Sequence, residues 1–453
     1  MRFHLPPLAW ISSVSGMAIR LRRFSVSLVL AWMGLAPSAS EADTDPLLLP
    51  ELRNKTEIKR KPVTFDIGAF KFSPLLEVSE AYNDNIFANN LLRKGSFVTQ
   101  IHAGGELSLQ RRLNRYSLTY ALQSTQFQSS PTDDYVDNYV GFNSFTVFDS
   151  RKRLEFNLNY LDSHYFRGYF FDRGLLSVPM KPQPDTYNRY EAVANFRYGG
   201  ENARGNLELK TSYDDYTFTD NFFSTDYQDR TAYNITPGFY VKVAPKTRLL
   251  AQVENTLNTY KNEPWYKYEY LKERYLAGVN FDYTDYLRGL VRGGYLQQSF
   301  FSKDIKSLTG FTWDVNVLWF PVSYSRLEVG ASRDIRPLIG NAFAGVSERY
   351  HIGWLHDWSP RLNTKLFAGT ENVTYQNLIV GGSPFSRVDN YDIYGVDINY
   401  SARKWLGFSL SYTRRDLTST TNVLNFNQDV LMFYVTLNPR IADDIKAPWS
   451  TWY

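Results

Sequence analysis

Between residue 65 and about residue 437, apolar and polar side chains alternate in runs longer than soluble strands usually need. In "FTWDVNVLWF", Phe311, Trp313, Val315, Val317 and Trp319 share one side, and Thr312, Asp314 and Asn316 share the other. The same period of two returns at Leu154–Tyr160, Leu207–Asp214, Arg274–Tyr283, Leu406–Thr413 and Leu431–Leu437. Successive side chains of a strand leave opposite faces, so a period of two predicts strands with one greasy and one wet face. No segment holds the 3.6-residue period of an amphipathic helix over several turns.

Two kinds of connection separate the runs. Short ones, usually basic, lie near Leu113, Ser150, Asn202, Pro245, Tyr286, Val322, Ser359 and Arg403. Longer ones, rich in Asn, Asp, Gly and Pro, cover Tyr82–Ser96, Arg167–Tyr187, Phe218–Gln228, Pro337–Ser347, Asn377–Arg387 and Thr418–Asn427. The pattern predicts an all-β chain: a transmembrane antiparallel up-and-down barrel of about 18 strands, with short periplasmic turns and longer extracellular loops. The repeat of roughly 40 residues also suits a β propeller, but blades need a turn every 8–12 residues. Here alternation continues for about 10–14 residues, enough for a tilted strand to cross a bilayer. On this reading the odd positions of 311–319 meet lipid and the even positions meet a wet lumen. Trp and Phe near the strand ends mark the interfacial belts.

The N-terminus adds a route. "RLRRFSVSLVLAWMGLAPSASEA" (residues 20–42) has a basic start, an apolar stretch from Phe24 to Ala36 and then small residues, the three-part pattern of a secretory leader. The expected organisation is a signal peptide over 1–42, cleaved after Ala42 or Ser40, with Met17 an alternative start. A periplasmic linker over 43–64, a barrel over 65–438 and a C-terminal periplasmic tail over 439–453 follow. No other apolar run approaches the ~18 residues that mark a candidate spanning helix.

Composition narrows the classes. Aromatics make up 16% of the chain, with 33 Tyr and 31 Phe, as suits strands greasy on one face only. There is no cysteine, which excludes disulfides, thiolate metal sites and cysteine nucleophiles. Of 50 basic and 46 acidic side chains, four Arg and one Glu lie in the leader, so the remainder is almost balanced and no nucleic-acid partner is expected.

Candidate chemistry is sparse. Nothing matches G-x-S-x-G, H-E-x-x-H or a phosphate-cradling glycine loop, and no enzyme and no cofactor are expected, although a spatial cluster among the loops is the residual alternative. Four histidines lie outside the leader, His102, His164, His351 and His356; His351 and His356 are five apart, hence on opposite faces of a strand and unable simply to share a metal. The Asn/Asp group in Tyr82–Phe87 offers hard oxygen ligands of the kind Ca²⁺ takes, or simply turn formers bonding their own backbone. By parity, Arg197, Glu208, Lys210, Asp214, Lys242, Glu254, Arg274, Asp282, Arg292, Asp314, Arg326, Glu328, Lys365, Glu371, Asp397 and Arg415 point into the lumen. They read either as neutralising ladders across neighbouring strands or as a polar track for a hydrated solute. Tyr240 and Phe367 share that face and could offer flat surfaces to sugar rings. Arg167–Tyr187, with three prolines and a Phe pair, is either a constriction or an external cap.

"EAYNDNIFANN", beginning at Glu80, resembles the start of an outer-membrane β-barrel porin family of Gram-negative bacteria. "YDDYTF" at 213–218, "DYQDRTAYNI" at 226–235 and the stretch 387–416 agree with it. The likeness covers about residues 65–438. Members are associated with exopolysaccharide and capsule export, so the resemblance implies a polar channel for such a polymer. A general or sugar-selective diffusion porin is the alternative. The implied partners are outer-membrane lipid, the barrel-insertion machinery, periplasmic polysaccharide-export components and the polysaccharide or small hydrophilic solute. The resemblance carries no catalytic residues.

Overall fold

The computed structural model describes residues 63–165, 183–200, 203–220, 228–262, 269–284, 286–303, 305–337, 344–376, 379–380, 383–384 and 386–438. The expected leader, most of the linker, the C-terminal tail and residues 167–182 of the longest loop lie outside the described residues.

Eighteen long strands follow one another. They are β1 Phe70–Asn83, β2 Ser96–Arg111, β3 Asn114–Phe127, β4 Tyr135–Val147, β5 Lys152–Tyr165 and β6 Asp185–Tyr198. Next come β7 Gly205–Phe218, β8 Arg230–Ala244, β9 Thr247–Tyr260, β10 Tyr270–Thr284, β11 Leu287–Phe300 and β12 Leu308–Val322. The last six are β13 Ser325–Pro337, β14 Ala344–Ser359, β15 Leu362–Gln376, β16 Val388–Arg403, β17 Leu406–Ser419 and β18 Phe426–Leu437. Each pairs antiparallel with the next, and β18 returns to β1, with Leu76 opposite Leu437 and Asn83 opposite Val430. The result is a closed up-and-down barrel without a free edge. A strand of 14 residues, such as β11, tilted by about 40°, rises roughly 36 Å, more than the apolar band of about 25 Å such barrels carry.

Two details differ from the sequence reading. The first barrel strand starts at Phe70, because Phe65–Ile67 turns back on Phe70–Phe72 through Gly68 at a φ of 61°. The strands also reach further into the long connections than alternation alone suggests. Tyr187 and Ser347 belong to strands because ladder bonding continues where the hydrophobic period fades. Besides the barrel strands and Phe65–Ile67, the described residues include 3-10 turns at Pro131–Asp133 and Asn422–Leu424 and a hairpin of two-residue strands at 379–384.

Alternation decides the faces. Phe311 (61% exposed) and Trp319 (48%) stand outside, whereas Thr312, Asn316 and Leu318 are buried on the opposite side. Exposed aromatics gather outside the turn end at Phe148, Tyr286, Tyr324, Trp358 and Trp405, and outside the upper wall at Tyr82, Phe97, Tyr295 and Tyr350. Beyond the upper group, ion pairs such as Asp215–Lys261 and Arg333–Glu348 mark where the apolar band ends.

Candidate functional site: the inner wall

The sixteen parity candidates sit on the face opposite the exposed apolar side chains, but their surroundings differ. The densest group spans four strands. Glu254 on β9 accepts from Arg274 on β10 (2.8 Å) and from Arg292 on β11 (2.7 Å). Asp314 on β12 accepts from Arg274 at 2.8 Å and forms an ion pair with Arg292 at 2.9 Å. Two guanidiniums and two carboxylates therefore close a ring. Arg274 reaches two strands along to Asp314 and Thr312, and the register lines the ring up: Glu254 pairs with Arg274, and Arg292 with Asp314. Charge-assisted bonds of this kind satisfy groups that burial would otherwise leave costly.

The other candidates distribute as follows. Asp214 binds Arg189, with Glu191 on the same guanidinium. Arg197 lies between Glu208 (3.3 Å) and Glu155 (3.7 Å). Glu371 is held by Arg336, by Arg349 at 3.0 Å and by the Ser347 hydroxyl. Asp282 pairs with Arg288, Asp397 accepts from Ser411, Arg415 donates to Gln428, and Glu328 faces Asn316. The Lys365 ammonium stands 5.1 Å from the centre of the Phe367 ring. Arg326 lies opposite Leu355 in the ladder. Lys210 and Lys242 have no ion pair among the described residues.

A family model described as "Putative beta-barrel porin 2" matches residues 61–439. The chain belongs to this family. It is an outer-membrane β-barrel of the porin type. A comparison with curated proteins finds no match. Solved structures of similar shape include OpdL of Pseudomonas aeruginosa, 11% identical with a TM-score of 0.42, over 81% of this chain and 98% of that one. OccAB3 of Acinetobacter baumannii is 13% identical with a TM-score of 0.42, again over 81% and 98%. The FrpB iron transporter of Neisseria meningitidis (F5-1 variant, apoprotein form) is 8% identical with a TM-score of 0.44, over 80% and 81%. At such distances the fold of this porin-family chain rests on its own strand register.

Inner-wall residues that the sequence reading passed over include Arg189, Glu191, Lys272, Asp334, Arg336 and the Arg387–Asp389 pair. Lys272 is 2% exposed and donates to Asp334 and to the Ile335 carbonyl. Arg387 bonds Asp389 and covers the Tyr375 ring at 4.2 Å. Parity continued into the strand ends would have found most of them. Arg189 and Arg230 also flank the Tyr216 ring, at 5.1 and 4.2 Å, in one ladder row running Leu161, Arg189, Tyr216, Arg230.

The Asn/Asp group after β1 spends its oxygens on N–H donors. Asn83 Oδ1 accepts from the Asn85 backbone and from Gln428, Asp84 Oδ1 from the Asp429 backbone, and Asn85 Oδ1 from the Asn89 backbone. That is turn chemistry, and the described residues hold no cluster of three metal-ligating side chains. His351 faces Gly330 on the inner face, while His356 lies among Trp354 and Trp358 on the outer one.

Proposed function

We propose that this barrel is the outer-membrane conduit for a secreted hydrophilic polymer, an exopolysaccharide or capsular polysaccharide. The observation that supports it is the closed ring of Arg274, Glu254, Arg292 and Asp314, a wall that is strongly polar yet locally neutral. A wall whose charges satisfy one another neither grips nor repels an ion strongly, but it presents dipoles to a hydrated, weakly charged chain. Eighteen strands enclose a width that side chains of the wall alone do not fill. The sixteen parity residues form the track, the outer aromatics hold the barrel in lipid, and a periplasmic export apparatus supplies the drive. The leader over 1–42 carries the chain across the inner membrane, and the insertion machinery places it.

The test is deletion of the gene, with surface and secreted polymer quantified in cells whose envelope excludes large antibiotics normally. Loss of polymer is expected; unchanged polymer refutes the reading. A second reading, diffusion of small solutes, is favoured by Lys210 and Lys242, cations without ion-pair partners among the described residues. It requires anion-selective conductance in planar bilayers that Lys210→Gln with Lys242→Gln abolishes.

A further inference from the structure

Several inner-wall glycines stand beneath aromatic rings. A Cβ on Gly395 would meet the Phe367 ring at 2.6 Å, one on Gly238 would meet the Tyr240 ring at 3.2 Å, and one on Gly141 would collide with the Tyr139 ring. Phe367 has glycine directly opposite it on both sides, Gly353 on β14 and Gly395 on β16. The missing side chains let each ring settle against the backbone, where a larger neighbour would lift it away. All three rings are half-buried on the inner face, and Tyr139 also packs against the buried cluster that includes Leu161 and Tyr187. Covering a glycine shields its backbone and is a recognised structural device. It does not require what surrounds these rings, however.

Each ring is bordered by polar groups already fixed in place. Tyr240 Oη accepts from Gln252, whose amide oxygen accepts from Arg292. Tyr139 Oη donates to Asn159, whose amide donates to Glu191. Phe367 has Lys365 beside it, and Lys365 is opposite Asp397 in the ladder. A pyranose needs this combination. Its C–H face is apolar and slightly positive and packs on the negative face of a π system, while its hydroxyls must find donors and acceptors on leaving water. Ions and short apolar solutes have no use for both. The three rings lie on β4, β8 and β15, spread around the wall rather than on one side of it.

We propose that Tyr139, Tyr240 and Phe367 are sugar-stacking subsites, each a ring seated on a wall glycine with hydrogen-bonding groups at its edge. This deepens the conduit reading and rests on it for biological meaning, since it names a pyranose chain as the class of cargo. Weak, repeated stacking on separated rings would hold a glycan inside without arresting it.

The experiment is saturation-transfer NMR on the detergent-purified full-length barrel with the neutral probes maltohexaose and cellohexaose. Transfer to the sugar C–H protons is expected for the native protein. It should fall about three-fold in the double variant Tyr240→Leu with Phe367→Leu, which keeps an apolar cover over both glycines and leaves Tyr139 as the remaining subsite. Tyr412→Leu, on the outer face, should leave transfer unchanged. Heat-modifiable migration on gels verifies that each variant is folded. Equal transfer in the double variant, or none in the native protein, overturns the proposal. Ring-dependent transfer together with unchanged polymer in the deletion strain removes the export reading and leaves the subsites standing.

Discussion

Where β1 meets β18 the ladder runs over eight pairs, Leu76–Asn83 against Val430–Leu437, whereas β2 and β3 pair over fourteen. The two regions are held differently. At the seam, side-chain amides and loop backbone add what the ladder lacks. Asn85 Nδ2 donates to the Asn427 carbonyl at 2.8 Å, Gln428 Nε2 to the Asn85 carbonyl at 2.7 Å, and Asp84 exchanges two bonds with Asp429. At the opposite end Asn438, at a φ of 60°, bonds the backbone of Val63 and the Pro74 carbonyl. In the body of the wall, by contrast, full ladders are stiffened by ionic groups reaching across strands, as around Arg274. A closed barrel must join its two chain ends somewhere, and here side-chain amides and loop backbone supplement a short ladder, beside the Arg93–Asp84 and Arg414–Asp429 ion pairs.

The comparison can be broken at either region, and the effects should differ in size. Arg274→Ala leaves Glu254 and Asp314 close together with Arg292 alone between them. Removing one partner of a buried pair costs about 3–5 kcal/mol, and the partial exposure of the two carboxylates points to the lower end. A large drop in the urea midpoint of refolded protein in detergent is expected. Restoration by adding Glu254→Gln and Asp314→Asn would show that stranded charge, not lost packing, is the cause. At the seam, Asn85→Ala removes an amide that is 0% exposed and bonds both Asn427 and the Asn89 backbone, at a cost of roughly 1–3 kcal/mol. Protease cutting near residues 84–95 should rise while the rest of the barrel stays protected. Cutting spread evenly over all loops would dissolve the distinction between seam and body.

The smallest effect belongs to the turn between β4 and β5. The Arg151 backbone N–H, beside that of Lys152, holds the exposed Asp149 carboxyl below its ordinary range. A depressed carboxyl stabilises the folded state above its unfolded pKa, and that contribution is lost as pH falls through the folded value. Asp149→Ala should therefore lower the urea midpoint slightly at neutral pH and not at all in strong acid. A difference that grows on acidification would contradict the bonding seen here.

How much of this could be read from the chain follows from geometry. Side-chain facing needs only a count of two, so Arg274 and Asp314 could be assigned to one face before any coordinates. Their meeting could not, because it depends on how far each hairpin is staggered against the next, and tight turns such as Leu113 carry no information about neighbours two strands away. The Tyr82–Phe87 group was visible as turn chemistry, yet its role at the seam needs β18, more than 300 residues later. The glycines under Tyr240 and Phe367 were legible as composition only. Phe367 and Gly395 become neighbours through register, and no periodicity within either strand announces it.

One paired substitution bears most directly on the account, since every role assigned here depends on which side of the wall a residue occupies. Val315 shares the outward row with Phe311 and Trp319 and lies opposite exposed Val291; Asn316 lies inward, its amide near Glu328. A charge on the lipid side near the midplane costs about 2–4 kcal/mol. Outer-membrane fractions should contain heat-modifiable, folded protein for Asn316→Arg, whose guanidinium can meet Glu328, and little or none for Val315→Arg. Equal assembly of the two, or failure of Asn316→Arg alone, would contradict the division of the wall into a lipid face and a polar interior.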